Sequence, residues 1–262
     1  MGKPEHFARH YYEQGADELL YMDVVASLYQ RNSLEDIVSR TAKETFIPLT
    51  VGGGLRTIDD IRAILRAGAD KISLNTAAIN RPELIQEAAR RFGSSTITVS
   101  IEAIRLPNGS YEAFTDNGRE STGVDVFQWA IQAAELGAGE LMITSIDREG
   151  TGKGFDLELT RRIAESVDIP VIACGGAGDV SHVYDVVSEG KADAVCLASV
   201  LHYNFLETYE PPDDFVEEGN VEFLKAGRGF SMIQNASLPE LKSQLRQMGI
   251  NCRPLESVVS RG

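Results

Sequence analysis

The chain has 262 residues, 43% of them hydrophobic and 24% charged, with a net charge of −14. Such a length and composition support a packed core, in one large α/β domain or two small ones, and exclude whole-chain disorder. The acidic surplus argues against nucleic acid or an anionic membrane as a partner, and no apolar run approaches the roughly 20 residues of a spanning helix.

The amino-terminal MGKPEHFARHYYEQG has no apolar signal core, and Cys174, Cys196 and Cys252 show no metal-ligand spacing. The expectation is a cytoplasmic protein with small buried thiols and neither metal nor cofactor.

In chain order, a helix is expected from Pro4 to Tyr12, closed by Gly15, followed by a short strand from Leu19 that ends at Asp23. Ser33 and Asp36 frame a helix start, and Pro48-Leu49-Thr50-Val51 forms a strand running into Gly52-Gly53-Gly54. Thr57-Ile58-Asp59-Asp60 caps a third helix, Lys71 to Asn75 is a strand, and Asn80-Arg81-Pro82-Glu83 reads as another capping box. The strand from Ile97 ends at Glu102, and an Asn108-Gly109 hairpin turn follows in a loop longer than its neighbours. Asp125 opens a helix, Leu141 to Thr144 is a strand with a polar loop from Ser145 to Gly154, and Asp156 opens the next helix. Strand Val171 to Cys174, helix Asp179 to Glu189 and strand Ala194 to Leu197 complete the alternation. Residues 207–231 read as an inserted acidic loop, and Ser237-Leu238-Pro239-Glu240 caps a last helix that seals the wall.

Two halves repeat. Gly53 and Gly176 stand 123 residues apart, as do Asn75-Thr76 and Ala198-Ser199. Alternating strands and amphipathic helices, doubled in this way and with no linker between the halves, predict a single (β/α)₈-barrel domain over residues 1–262, an open doubly wound sheet being the competing architecture. Only seven barrel strands are counted, because the chain opens on a helix where a barrel opens on a strand.

Strand carboxyl ends share one mouth, so Asp23, Gly54, Asn75, Glu102, Thr144, Gly175 and Ser199 are expected to converge there. Glycine clusters expose backbone N–H groups to anions. Gly52 to Gly54 with Asn75-Thr76, and Gly175-Gly176 with Ser199, form two such cups and predict an elongated ligand with a phosphate at each end. Glu102, between them, is the candidate proton shuttle, with Asp147 and Glu149 as further mouth carboxylates. Glu18 and Lys71 lie at strand beginnings, on the opposite face. His182 and His202 read as surface or capping residues.

The runs Asp70 to Ala78, Thr144 to Thr151 and Cys174 to Gly178 resemble the cyclase subunits of imidazole glycerol phosphate synthase, across roughly residues 2–205 and the final helix. The resemblance implies a barrel enzyme of histidine biosynthesis. It takes ammonia from a glutaminase docked on the bottom face and joins it to a ribulosyl aminoimidazole carboxamide nucleotide bearing two phosphates. It places Gly54, Asn75, Thr76, Thr144, Gly150, Gly175, Gly176 and Ser199 at the phosphates, and Glu18, Lys71 and Glu140 at the ammonia entrance. The family's catalytic aspartates lie on the first and fifth strands. The fifth-strand position is Glu102 here and the first strand is not found, so little turnover is expected until an aspartate-bearing strand is added. Glu149 and Cys174 stand where an aspartate and a serine are usual. Two other readings stay open: a cyclase-like paralogue relaying ammonia to a sugar-modifying amidotransferase, and a non-catalytic scaffold for a glutaminase.

Overall fold

The computed structural model describes residues 4–23, 34–208 and 236–254. Its first half runs α1 (Pro4–Glu13), β1 (Leu19–Met22), α2 (Leu34–Glu44), β2 (Leu49–Gly52), α3 (Ile58–Ala67), β3 (Lys71–Leu74), α4 (Thr76–Asn80), α5 (Glu83–Phe92) and β4 (Ile97–Arg105). An antiparallel pair follows, β5 (Tyr111–Thr115) and β6 (Glu120–Asp125). The alternation resumes with α6 (Val126–Glu135), β7 (Glu140–Ser145), α7 (Leu157–Ala164), β8 (Val171–Cys174), α8 (Val180–Ser188), β9 (Ala194–Cys196), α9 (Ser199–Thr208) and α10 (Leu238–Gln247).

Seven strands pair in parallel in the order β1-β2-β3-β4-β7-β8-β9, with β5 and β6 hung from the end of β4. The sheet is that of an α/β barrel. Val51, Ile72, Val99, Ile101, Leu141, Ile143 and Val171 are fully buried between it and the helices, packed against Ile61, Leu84, Ile85 and Leu159. Alternate residues on a strand share a face, so the intervening positions turn to the barrel interior. The interior row nearest the mouth is Glu102↔Thr144↔Cys174↔Cys196.

Several helix starts follow local chemistry. Thr57 and Asp60 close a reciprocal capping box on α3, and Ser237 and Glu240 do the same on α10. The box expected at Asn80 does not form: Asn80 ends α4, and Pro82 precedes α5 without a side-chain cap. The Ser33 cap lies outside the described residues, as does the expected insertion from residue 209 onward; α9 carries the chain through its first two positions.

Among the described residues β1 and β9 do not pair with each other. The helices bridge this side instead. Phe7 of α1 stacks on His202 of α9 at 5.1 Å between ring centroids, His10 lies 4.0 Å from Phe205, and the Tyr11 hydroxyl meets His202 Nδ1 at 3.3 Å. His202 is therefore a half-buried packing residue, not the surface or capping residue expected, and burial lowers its proton affinity while raising Tyr11 to about 12. Lys242 of α10 binds the Gly15 carbonyl and the Asp17 carboxylate at 2.7 and 2.6 Å, while Leu241 and Leu245 pack with Val183 and Val186 of α8. The last helix does seal the wall.

Candidate active site

The mouth is built from strand ends. After β2 the chain turns through Gly53 at φ +97° and Gly54 at φ +70°, a left-handed run that glycine adopts without strain. A Cβ on Gly53 would stand 2.1 Å from the Asp23 carbonyl oxygen, so this turn is pressed against the end of β1. Asp23 itself donates its N–H to Gly52. Asn75 and Thr76, at the start of α4, complete the cup after β3.

On the other side, Gly175 and Gly176 take φ +83° and +113° after β8, and Ser199 opens α9 after β9. Gly176 serves packing as well as any ligand: its carbonyl accepts from Gly154 N at 2.8 Å. The loop from Ser145 to Gly154 is thereby laced onto the second cup. Gly150, at φ +69°, has open space where a Cβ would stand, so its conformation alone calls for glycine. Thr144 is buried on the interior row.

Glu102 stands between the cups. Its Oε2 accepts from Gly118 N at 2.7 Å, and burial pushes its carboxyl above the usual range, with the charges of Glu149 and Asp116 adding to the shift while the Gly118 and Asn75 hydrogen bonds oppose it. Partial burial that moves a carboxyl towards neutrality is what general acid–base chemistry calls for. Glu149 lies beside the second cup, its Cβ 3.6 Å from where a Cβ on Gly175 would stand. Asp147 Oδ2 accepts from Arg105 N at 2.7 Å, at the base of the hairpin.

The hairpin is the feature that sequence reasoning only half found. The Asn108-Gly109 turn forms, with Asn108 Oδ1 accepting from Ser110 N at 3.0 Å. The second turn, through Asp116, Asn117 and Gly118 at φ +51°, +57° and +72°, folds back over the first cup. Asp116 N approaches Thr76 Oγ1, and Asn75 Nδ2 donates to the Phe114 carbonyl, both at 3.4 Å. The run Asp116-Asn117-Gly118, three residue types that tolerate positive φ, was the available signal.

At the opposite face Lys71 Nζ lies 2.8 Å from Glu18 and 2.6 Å from Glu140, whose other oxygen accepts from Thr98 Oγ1 at 3.1 Å. Burial works to lower Lys71, but the two carboxylates overcome it and hold the ammonium above its ordinary value. Between this ring and the mouth the interior positions include Thr50, Ser73, Ser100, Met142 and Ile172; the Ser73 hydroxyl is buried with no protein partner. His182 accepts from Gly178 N at 3.1 Å beside the start of α8, in line with the capping role expected.

Among the described residues no helix is long and apolar enough to cross a membrane. A cavity of about 460 Å³ opens outside the mouth, lined by Arg105, Arg148, Lys153, Asp156, Glu158 and His182. Its mixed charges single out no ligand.

Against known proteins, residues 1–207 match the family described as histidine biosynthesis protein. The chain is 50% identical over 212 residues to the imidazole glycerol phosphate synthase subunit HisF of Trichormus variabilis, which spans 80% of this chain and 82% of that protein. It is 49% identical over 203 residues to the subunit HisF of Alkaliphilus metalliredigens, spanning 78% and 81%.

Proposed function

The chain belongs to the histidine biosynthesis family as a cyclase subunit of imidazole glycerol phosphate synthase, and we propose that its two faces divide the reaction between ammonia entry and ring closure. The observation that carries this division is the position of Glu102 between two glycine cups in one mouth, with a charged ring at the far end of the same interior.

A glutaminase docks on the bottom face and delivers ammonia to Lys71, Glu18 and Glu140. Ammonia then passes Met142, Ser73 and Ser100 to the mouth, the two serine hydroxyls offering it hydrogen-bonding partners along the way. Gly54, Asn75 and Thr76 hold one phosphate of the ribulosyl aminoimidazole carboxamide substrate, and Gly150, Gly175, Gly176 and Ser199 hold the other, with Thr144 lining the floor. Both cups present neutral N–H and hydroxyl donors, which suits an acidic protein that must bind a polyanion locally. Glu102 moves protons as ammonia adds to the ribulosyl carbonyl and the bond to the departing carboxamide ribotide breaks. The products are imidazole glycerol phosphate and an aminoimidazole carboxamide ribotide.

Ammonia-dependent turnover tests the reading directly. Residues 1–262 are expected to turn over at least about 10²-fold more slowly than the same chain with an aspartate-bearing strand added ahead of α1, because a second acid–base group is then supplied. Failure of both forms to consume the bisphosphate, with tight binding of a sugar-pathway glutaminase, would transfer the chain to the ammonia-relay class.

Lys71→Ala separates the two faces. It leaves Glu18 and Glu140 without their shared cation, so glutamine-dependent turnover should fall about tenfold while turnover on free ammonia is retained. Equal loss with both nitrogen sources would place Lys71 in the structure of the barrel rather than at its entrance.

A further inference from the structure

We propose that Cys174 and Cys196 form a modification site, a dithiol in the barrel mouth that a peroxide converts to an intramolecular disulfide. The two cysteines are direct partners in the parallel pairing of β8 with β9. Strands in a sheet lie about 4.8 Å apart, inside the span of about 4.4–6.8 Å that a disulfide accepts between Cα atoms. Both side chains belong to the interior row that contains Glu102 and Thr144, so they face each other from one side of the sheet. Neither is fully buried, and all three cysteines of the chain are free thiols. Expected as small buried thiols, these two are instead partly exposed neighbours on the interior side of the sheet.

Their chemistry is unequal. A hydrogen bond from Cys196 is the largest influence on Cys174 and lowers its proton affinity; burial opposes it, and Thr144 and the Gly175 N–H support it. Cys196 is correspondingly held protonated. The Cys174 thiolate attacks hydrogen peroxide, forming a sulfenic acid and releasing hydroxide, which takes up the proton that Cys174 gave up on ionising; the Cys196 thiol then attacks that sulfur, its proton leaving with the sulfenic hydroxyl as water. Two thiols and one peroxide thus yield one disulfide and two waters. Cys252, whose thiol burial pushes up, packs near α8 and α10 and serves as an internal control.

Cys174 leads directly into Gly175-Gly176, and β9 leads into Ser199, so the bridge ties together the two strand ends that carry the second cup. This consequence rests on the proposed phosphate role of that cup; formation of the bridge does not.

The experiment is peroxide titration of the full chain, followed by thiol counting, peptide mapping and inorganic phosphate binding. Two of the three thiols should disappear together as a Cys174–Cys196 link, with Cys252 retained and full reversal by dithiothreitol; Cys252→Ser should lose the same two, and Cys196→Ser should form no internal bridge. Retention of all three thiols, separate over-oxidation of Cys174, or links between chains would overturn the site. Phosphate affinity should fall in the bridged form. A bridge that leaves it unchanged overturns the link to the cup, whereas absence of phosphate binding before oxidation overturns the cup itself.

Discussion

Glu102→Gln is expected to slow turnover by about 10²–10⁴-fold while leaving affinity for the bisphosphate within about threefold. Glutamine keeps the length of the side chain and an oxygen to accept from Gly118 N–H, so the mouth retains its shape and loses only the proton. A loss expressed in kcat alone is the signature of a group used in the transition state; an equal loss of substrate affinity would make Glu102 a binding residue instead. The same substitution carries a stability prediction of fixed sign. Burial raises Glu102 above the usual carboxylate range in the folded chain, so its protonated form is the one folding prefers. The stability this lends is complete below the unfolded carboxylate value and is lost as pH rises through the raised folded value. Glu102→Gln should therefore melt at a higher temperature than the parent near neutral pH, with the difference closing towards pH ~4, where both states of the parent are protonated. Urea or thermal melts across that range would check it. An unchanged or lowered melting point at neutral pH would show that the ionised carboxylate is well satisfied where it stands.

The barrel was legible because its physics is local and periodic. Ile61 and Ile64 on α3 and Leu84, Ile85 and Ala88 on α5 carry a helical repeat, and the strands of the parallel sheet are short, largely apolar runs preceded by a turn at proline or glycine. The seven strands of the parallel sheet fell where those runs lie. β6 was missed because Glu120-Ser121-Thr122-Gly123 has no apolar alternation; its residues are largely exposed, and the strand is held by the Glu112 carboxylate, which accepts from Thr122 N and Gly123 N. α4 is a single short turn with no apolar period of its own. His202 was misjudged because its partners, Phe7 and Tyr11, are nearly the whole chain away. Within the site, Gly175-Gly176 announced a close backbone approach, but its proximate cause, the Ser145–Gly154 loop pressed against Gly176, required a contact that no spacing encodes. The cysteine pair was hidden for a related reason. Each thiol lies in an apolar run that reads as core, and only the strand register sets one against the other.

Gly176→Ala should weaken bisphosphate binding by about 10²-fold and destabilise the chain by roughly 1–3 kcal/mol. The added Cβ would stand 2.3 Å from the Gly154 carbonyl oxygen, on a residue already at φ +113°, so both loops must move apart and carry their N–H donors with them. Because a destabilised chain could lose binding for trivial reasons, Ser199→Ala provides the milder counterpart: it removes one hydroxyl donor from the same cup, with an expected loss of about tenfold, the worth of one charge-assisted hydrogen bond. The mirror experiment on the first cup is Gly53→Ala, whose Cβ would meet the Asp23 carbonyl oxygen at 2.1 Å. If the cups hold opposite ends of one ligand, the two substitutions weaken the same bisphosphate independently, and their free energies add, since β4 and β7 lie between the strands concerned. Monophosphate fragments make the distinction sharper. Each fragment should respond to substitutions in one cup and ignore the other, with the imidazole glycerol phosphate end and the ribotide end assigned by which cup each one senses. Bisphosphate affinity that survives Ser199→Ala and Gly176→Ala within about threefold would remove the second cup from the site and leave its glycines to the packing of Gly154 alone.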